Sequence, residues 1–559
     1  MRNISRPLVL LAGGVFFVSL SMAQRGGGPA WNTAGGDAQR TSWARTDARI
    51  SAASMPKFQF LWKVKVDNAA KGSYSLSSAV MVDSYIGYRG FRSYAFLGGA
   101  SNKTVALDTD LGRVEWLQSF GGASTPGAAG CPGALTSGVT RNTPVAPPAA
   151  AAGGRGAAAG GRGGNRAASA VGEPGEGAVT INAAGGGRGG GGGGRGASGG
   201  GRGGAGGGGG RGASGAAGGG GGRGRAVEAV YAVSTDGMLR TLYISNGENA
   251  KPPVRFLPAN ANASGLLLAD NIMYATTNGN CGGAPNGVWA IDTMADSPAP
   301  MHWATNGGGV AGNYGPALGS DGTVYAATTD GDYSPSAFSD SVVALDKITP
   351  ETKSLKLKDW FTPGKSEFTS SPVVFSVKDG DKEKDLIAVA NKNGDLYLLD
   401  STALGGADHK TPLASVSFSN SGADAGALAS WEDAAGVRWV LVPAPNAVIA
   451  YKVVEQGGKY TLQTGWTSPN IASPLPPIVV NGIVFAVASG AGLKPAVLYA
   501  LDGATGKELF NSGSTMTGPV MRTGGLAASA GQLYIAGADS TVYAFGVPLV
   551  PPDLAKKVQ

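Results

Sequence analysis

Apolar residues along this chain recur at every second position, in runs of strand length that stop at Gly, Asn or Asp. Examples are Val105-Ala106-Leu107-Asp108, Trp289-Ala290-Ile291-Asp292, Val343-Ala344-Leu345-Asp346 and Tyr499-Ala500-Leu501-Asp502. A period of two places alternate side chains on opposite faces of a strand, so the pattern predicts antiparallel sheet. The runs form a larger phrase. Asp108 is followed by Gly112 and Trp116, Asp292 by Trp303, Asp346 by Trp360, Tyr451 by Trp466, and Asp502 by Phe510. Leu396 to Asp400 keeps the phrase without its tryptophan, and Val542 to Phe545 is its last copy.

The anchors Asp292, Asp346, Asp400, Tyr451 and Asp502 are 54, 54, 51 and 51 residues apart. Asp108 and Asp292 are 184 apart, which becomes two further periods once a 77-residue Gly/Arg stretch is set aside. Val230 to Ile244 supplies the missing copy, for eight units in all. Repeats of roughly 40–50 residues with four short strands predict a propeller. The last unit stops without a fourth strand, whereas Phe60 to Val66 precedes the first. The expected fold is therefore all-β: an eight-bladed β-propeller of four-stranded antiparallel blades, closed by that N-terminal strand. The aromatic ending most units is expected to wedge between neighbouring sheets. The repeat resumes in register beyond the Gly/Arg stretch, which favours one ring over two flanking domains.

Composition changes this picture in one place. Of 95 glycines, many crowd into 149–225, where nine arginines and two glutamates give +7, the net charge of the whole chain. That stretch lacks the apolar residues needed to bury a core and is expected to be disordered. It should emerge from the hairpin between Gly138–Val145 and Ala226–Val233, on the face opposite the propeller's ligand face. The remainder is balanced in charge, so no nucleic-acid partner is expected. At the N-terminus, Arg2 and Arg6 precede an apolar run from Leu8 to Leu20 and the small residues of Ser21-Met22-Ala23. This reads as a secretory signal over 1–23, cleaved after Ala23, with an uncleaved anchor as the alternative. No cysteine lies there for lipidation, and no later stretch is apolar enough to span a membrane. The expected organisation is signal peptide 1–23, leader 24–56, propeller 57–548 interrupted by 149–225, and tail 549–559. A periplasmic or secreted location follows.

The phrase Ala500-Leu501-Asp502-Gly503-Ala504-Thr505-Gly506-Lys507 resembles the pyrroloquinoline quinone (PQQ) repeat of quinoprotein alcohol dehydrogenases and their non-catalytic relatives. Trp31 to Thr41 (WNTAGGDAQRT) is similar to the opening of that superfamily, and Val324 to Pro363 to its fourth blade. The resemblance implies PQQ and Ca²⁺ as cofactors of the catalytic members, with an aspartate base and an adjacent cysteine pair. Asp332, in the loop with Asp330, falls at the family's calcium-binding asparagine, and oxygen ligands suit that ion. Those two aspartates are the metal candidates, against the plainer reading of turn formers. The base is missing: beyond Phe361-Thr362-Pro363 stand Phe368, Thr369, Ser370 and Ser371. Asp379 to Asp385 lacks the spacing of a calcium loop and reads as a solvated hairpin turn.

Two functions remain open. One is a non-catalytic scaffold that binds a protein partner or small molecule at the propeller face, similar in fold to the outer-membrane assembly lipoprotein. The alternative is a PQQ- and Ca²⁺-dependent oxidoreductase, an alcohol or sugar dehydrogenase with an atypical site. No catalytic residue is assigned. The only cysteines, Cys131 and Cys281, fall in connections expected on one face over neighbouring blades, so a disulfide between them is expected, with two free thiols as the alternative.

Overall fold

The computed structural model describes residues 31–548 except 73, 88–89, 122–130, 132–137, 146–227, 333, 335, 350, 381, 421 and 491–493. The expected signal sequence, the Gly/Arg stretch 149–225 and the tail therefore lie outside the described residues. Eight antiparallel sheets follow one another around a ring. In blade six, Ala429–Glu432, Arg438–Ala444, Ala447–Gln456 and Lys459–Thr467 run from the axis outwards. Its second strand is buried along its whole length and its outer strand alternates towards solvent. Central strands are covered by neighbouring blades on both faces, so they read as unbroken apolar runs. The alternation survives towards the periphery, as in the third strand Val497–Asp502 and the outer strand Ala414–Ser417.

The ring closes as expected. Gln59–Lys65 pairs antiparallel with Thr541–Gly546, with Val64 opposite Val542 and Phe60 opposite Phe545. The first and last segments of the propeller thus share blade eight, which holds the ring closed by backbone hydrogen bonds. Val373–Asp379 and Lys382–Ala390 pair up to Asp379 opposite Lys382, so the acidic run belongs to a hairpin but is mostly strand: Lys382 to Asp385 are paired residues of its second strand.

The recurring phrase has a mechanical meaning. The Asp502 carboxylate accepts the Ala504 and Thr505 N–H groups and the Thr505 hydroxyl, which fixes the turn between the third and fourth strands of blade seven. Asp108 holds Asp110 and Leu111 in the same way. Gly506, in the left-handed region at φ 71°, lies flat against the Trp466 ring of the preceding blade. Trp466 Nε1 donates to the Gly503 carbonyl at 2.8 Å. Trp116 repeats the arrangement, with Gly247 beneath its ring and the Ile244 carbonyl as acceptor at 2.8 Å. The wedge is thus an aromatic of one blade seated on the glycine turn of the next.

Gly506→Ala is expected to destabilise the protein by about 2–3 kcal/mol, combining left-handed strain with a Cβ placed 2.6 Å from the Trp466 ring. Gly513→Ala, at φ 54° with open space around it, carries the strain alone and should cost about 1 kcal/mol. Urea titration of the pair checks this, and equal losses would remove the wedge from the account.

Blade two departs from expectation. Its inner strand is only Val139–Thr140, paired with Ala232 and Tyr231, and does not continue to Val145. After Arg141 the chain crosses over, and Asn142–Thr143 pairs parallel with Leu268 and Ala269 on the inner strand of blade three. The Arg141 guanidinium explains the swerve. It donates to the Met81 carbonyl and to Asn32, and forms a 2.6 Å ion pair with Glu228. That pair joins the two ends of the segment outside the described residues.

The leader is no loose preface. Trp31 to Asp47 lies inside the ring and touches every blade. The second residue of five inner strands (Met81, Leu318, Val374, Ser430 and Val479) donates its N–H to the carbonyl of Trp31, Ala38, Gln39, Thr41 or Ser42, respectively. Arg141 of blade two donates to the Asn32 carbonyl, the Thr33 hydroxyl donates to Leu266 of blade three, and Gly531 of blade eight donates to the Asp47 carboxylate. Inner strands would otherwise leave a row of unpaired backbone groups facing the axis. The leader satisfies them and blocks the channel.

Candidate functional site

Above this plug, at the axis, is a blind cavity of about 330 Å³. Its walls come from the segments entering the inner strands and from the second-to-third-strand connections, the face on which the family resemblance places its ligand. Ala34 of the leader and the buried Tyr314 belong to its lining. Gly312, at φ 82°, lets the chain pass against the backbone of Ser370 and Ser371, where any Cβ would collide. Beneath the cavity Arg40 is 1% exposed. Its guanidinium donates to the Pro316, Ala34 and Gly265 carbonyls and to the Thr33 hydroxyl, over 2.6–3.1 Å. Burial drives its pKa down to about 9, with the Asp37 and Tyr314 charges acting the other way. Burial also pushes the Tyr314 phenol up to about 12.

The residues singled out from the sequence divide in two groups. Cys131 and Cys281 are joined in a disulfide with Cα atoms 5.6 Å apart. It ties the connection between blades one and two to the second-to-third-strand loop of blade three. Asp330 and Asp332 lie exposed on the corresponding loop of blade four. Asp332 uses its backbone carbonyl, which accepts the Ser339 hydroxyl at 2.8 Å. Among the described residues, no three His, Cys, Asp or Glu side chains are grouped to hold a metal ion.

Where the resemblance calls for a base, Phe368 and Thr369 line the cavity. The Ser370 hydroxyl accepts the Ala390 N–H and the Ser371 hydroxyl accepts the Tyr314 N–H, both structural bonds. Two carboxylates that sequence reasoning missed do line the cavity, Glu367 and Asp424. Each is engaged: Glu367 with Lys392 and the Asp330 N–H, Asp424 with Arg522 at 3.4 Å. Their positions just ahead of the inner strands of blades five and six were the only available signal.

PQQ carries several carboxylates at neutral pH and needs cations to balance them. Among the described residues no Lys, Arg or His lines the cavity, and the nearby Lys392 and Arg522 already serve acids of the lining. The present side chains therefore do not fit PQQ with its calcium ion.

Close to Glu367 is Asp340, 2% exposed, at φ 52°, with Oδ1 lacking a hydrogen-bond partner. Burial, then the Asp330 and Glu367 charges, raises its pKa from 3.8 to about 6, against the pull of Lys365. Between these values the folded state binds the proton more tightly than the unfolded chain. Stability from this group is therefore full below about pH 4 and is lost as pH rises through about 6. Asp340→Asn, which tolerates the same backbone, is expected to stabilise by about 1 kcal/mol at pH 7 and by nothing at pH 3.5. Denaturation midpoints at the two pH values test this, and an equal effect at both would contradict it.

The fold is an eight-bladed β-propeller of four-stranded antiparallel blades, an architecture shared with solved quinoprotein dehydrogenases. The structure is similar to the quinohemoprotein alcohol dehydrogenase from Comamonas testosteroni (14% identity, TM-score 0.53, covering 93% of this chain and 80% of that one). It is similar also to the quinohemoprotein alcohol dehydrogenase from Pseudomonas putida HK5 (11%, 0.53, 94% and 82%) and to a europium-containing methanol dehydrogenase (11%, 0.53, 93% and 98%). No family model and no curated protein sequence matches the chain. Identities this low establish shared architecture and leave chemistry to the site itself.

Proposed function

We propose that this protein is an exported, non-catalytic binding platform that offers its axial cavity to a small molecule or a protein partner in the cell envelope or outside the cell. The observation that carries the reading is the cavity lining. It has the position of a cofactor pocket, but its carboxylates are neutralised by their own neighbours and, among the described residues, no cation lines it. The side chains at the base position are an aromatic, a threonine and two serines committed to the backbone. Cys131 has its partner on another blade, so it forms no ring with an adjacent cysteine. The N-terminal residue pattern supports export.

A dye-linked assay tests the proposal. The purified chain, incubated with PQQ and Ca²⁺ and offered primary alcohols and aldoses, is expected to reduce no dye above a protein-free blank. Sustained turnover that depends on both additions would establish the oxidoreductase instead.

A further inference from the structure

The cavity lining is more selective than a generic polar cleft. Ser78, Asn262, Asn278 and Thr329 belong to it, and among the described residues their hydrogen bonds to other groups run through the backbone, leaving the side chains unengaged. They come from four different segments and are all uncharged. An asparagine amide both donates and accepts, and a hydroxyl does the same. Tyr314, whose buried hydroxyl lacks a well-formed partner, and the buried Phe368 supply flat apolar surface between them.

Each ligand class meets this set differently. An apolar molecule would cover the free amides without replacing their bonds to water, at about 1–3 kcal/mol per group. An anion would find two carboxylates and, among the described residues, no balancing cation in the lining. A cation would find both carboxylates already paired with Lys392 and Arg522. An extended chain could not pass, because the leader closes the floor. Groups that donate and accept in equal measure around a blind volume of about 330 Å³ match a compact molecule dense in hydroxyls.

We infer that the axial cavity takes a neutral polyhydroxylated small molecule of about hexose size, held by Asn262, Asn278, Ser78 and Thr329. This rests on the non-catalytic reading and gives that reading its ligand class. Asn278 is the most accessible lever. It packs over Gly309, where an added Cβ would run into its amide. Gly309→Ala should therefore displace the amide with little change to the sheet, and Asn278→Ala should remove it.

Calorimetric titration of the mature chain with D-glucose, D-galactose and myo-inositol, beside D-gluconate as an anionic probe of the same size, tests the inference. The expected result is saturable one-to-one binding of at least one neutral probe, with gluconate at least about tenfold weaker. Asn278→Ala and Gly309→Ala should each weaken that binding about tenfold while keeping the wild-type denaturation midpoint. Binding of none of the neutral probes overturns the inference, as does gluconate binding equally well, or binding unaffected by both substitutions. None of these outcomes touches the non-catalytic reading, which falls only if PQQ and Ca²⁺ confer dye reduction.

Discussion

Arg40→Ala is expected to cost about 3–5 kcal/mol of unfolding free energy, the larger of the two main effects. The side chain donates to three backbone carbonyls and one hydroxyl drawn from the leader, the inner strand of blade three and the approach to blade four. Truncation leaves those acceptors buried and unpaired, at about 1–3 kcal/mol each, partly offset by no longer burying a charge. Lysine cannot substitute, because three donors on one ammonium do not reproduce a planar fork reaching four acceptors. Arg40→Lys should therefore recover less than half of the loss. A urea titration followed by tryptophan fluorescence measures both variants. An Arg40→Ala protein within about 0.5 kcal/mol of wild type would mean that the leader is not part of the cooperative fold.

The second large effect belongs to the Cys131–Cys281 bond, whose partners are 150 residues apart. In the chain-entropy model a loop of that length, by restricting the unfolded chain, contributes about 4–5 kcal/mol. The enclosed segment includes all of the Gly/Arg stretch, which gives the unfolded chain much freedom to lose. Replacing both cysteines with serine is expected to lower stability by about 4 kcal/mol, and reducing the wild type should give the same loss. Denaturation with and without reductant separates this from a packing effect: the serine variant should be insensitive to reductant. Two thiols titrating in the untreated protein would show that the bond does not form.

How legible was this in the sequence? The blade number came from spacing alone, because most of the repeated aspartates have a local task that keeps them in place, as Asp108, Asp292, Asp400 and Asp502 do in their turns. Ring closure was legible because a missing outer strand at one end matched a surplus strand at the other. The disulfide followed from knowing which connections share a face. The leader's role was not legible. Its hydrogen bonds run from backbone carbonyls to strands between about 50 and 440 residues away, and nothing in Trp31 to Asp47 announces a partner at that range. Blade two misled for a similar reason: Gly138 to Val145 alternates like one strand, but Arg141 anchors the backbone so that the last part pairs with the next blade. In the site, the missing base and missing cysteine pair were plain, as were Asp330 and Asp332 as loop residues. Glu367, Asp424, Asn262 and Asn278 were not, because convergence around an axis comes from the ring and leaves no linear motif.

The central claim is that a propeller built like a quinoprotein has a cavity chemically unsuited to the quinone. The most direct measurement is gel filtration of the purified protein after incubation with excess PQQ and Ca²⁺, read by quinone absorbance in the protein peak. The account predicts a protein peak free of quinone, with the unbound cofactor eluting later. Stoichiometric quinone travelling with the protein would contradict it.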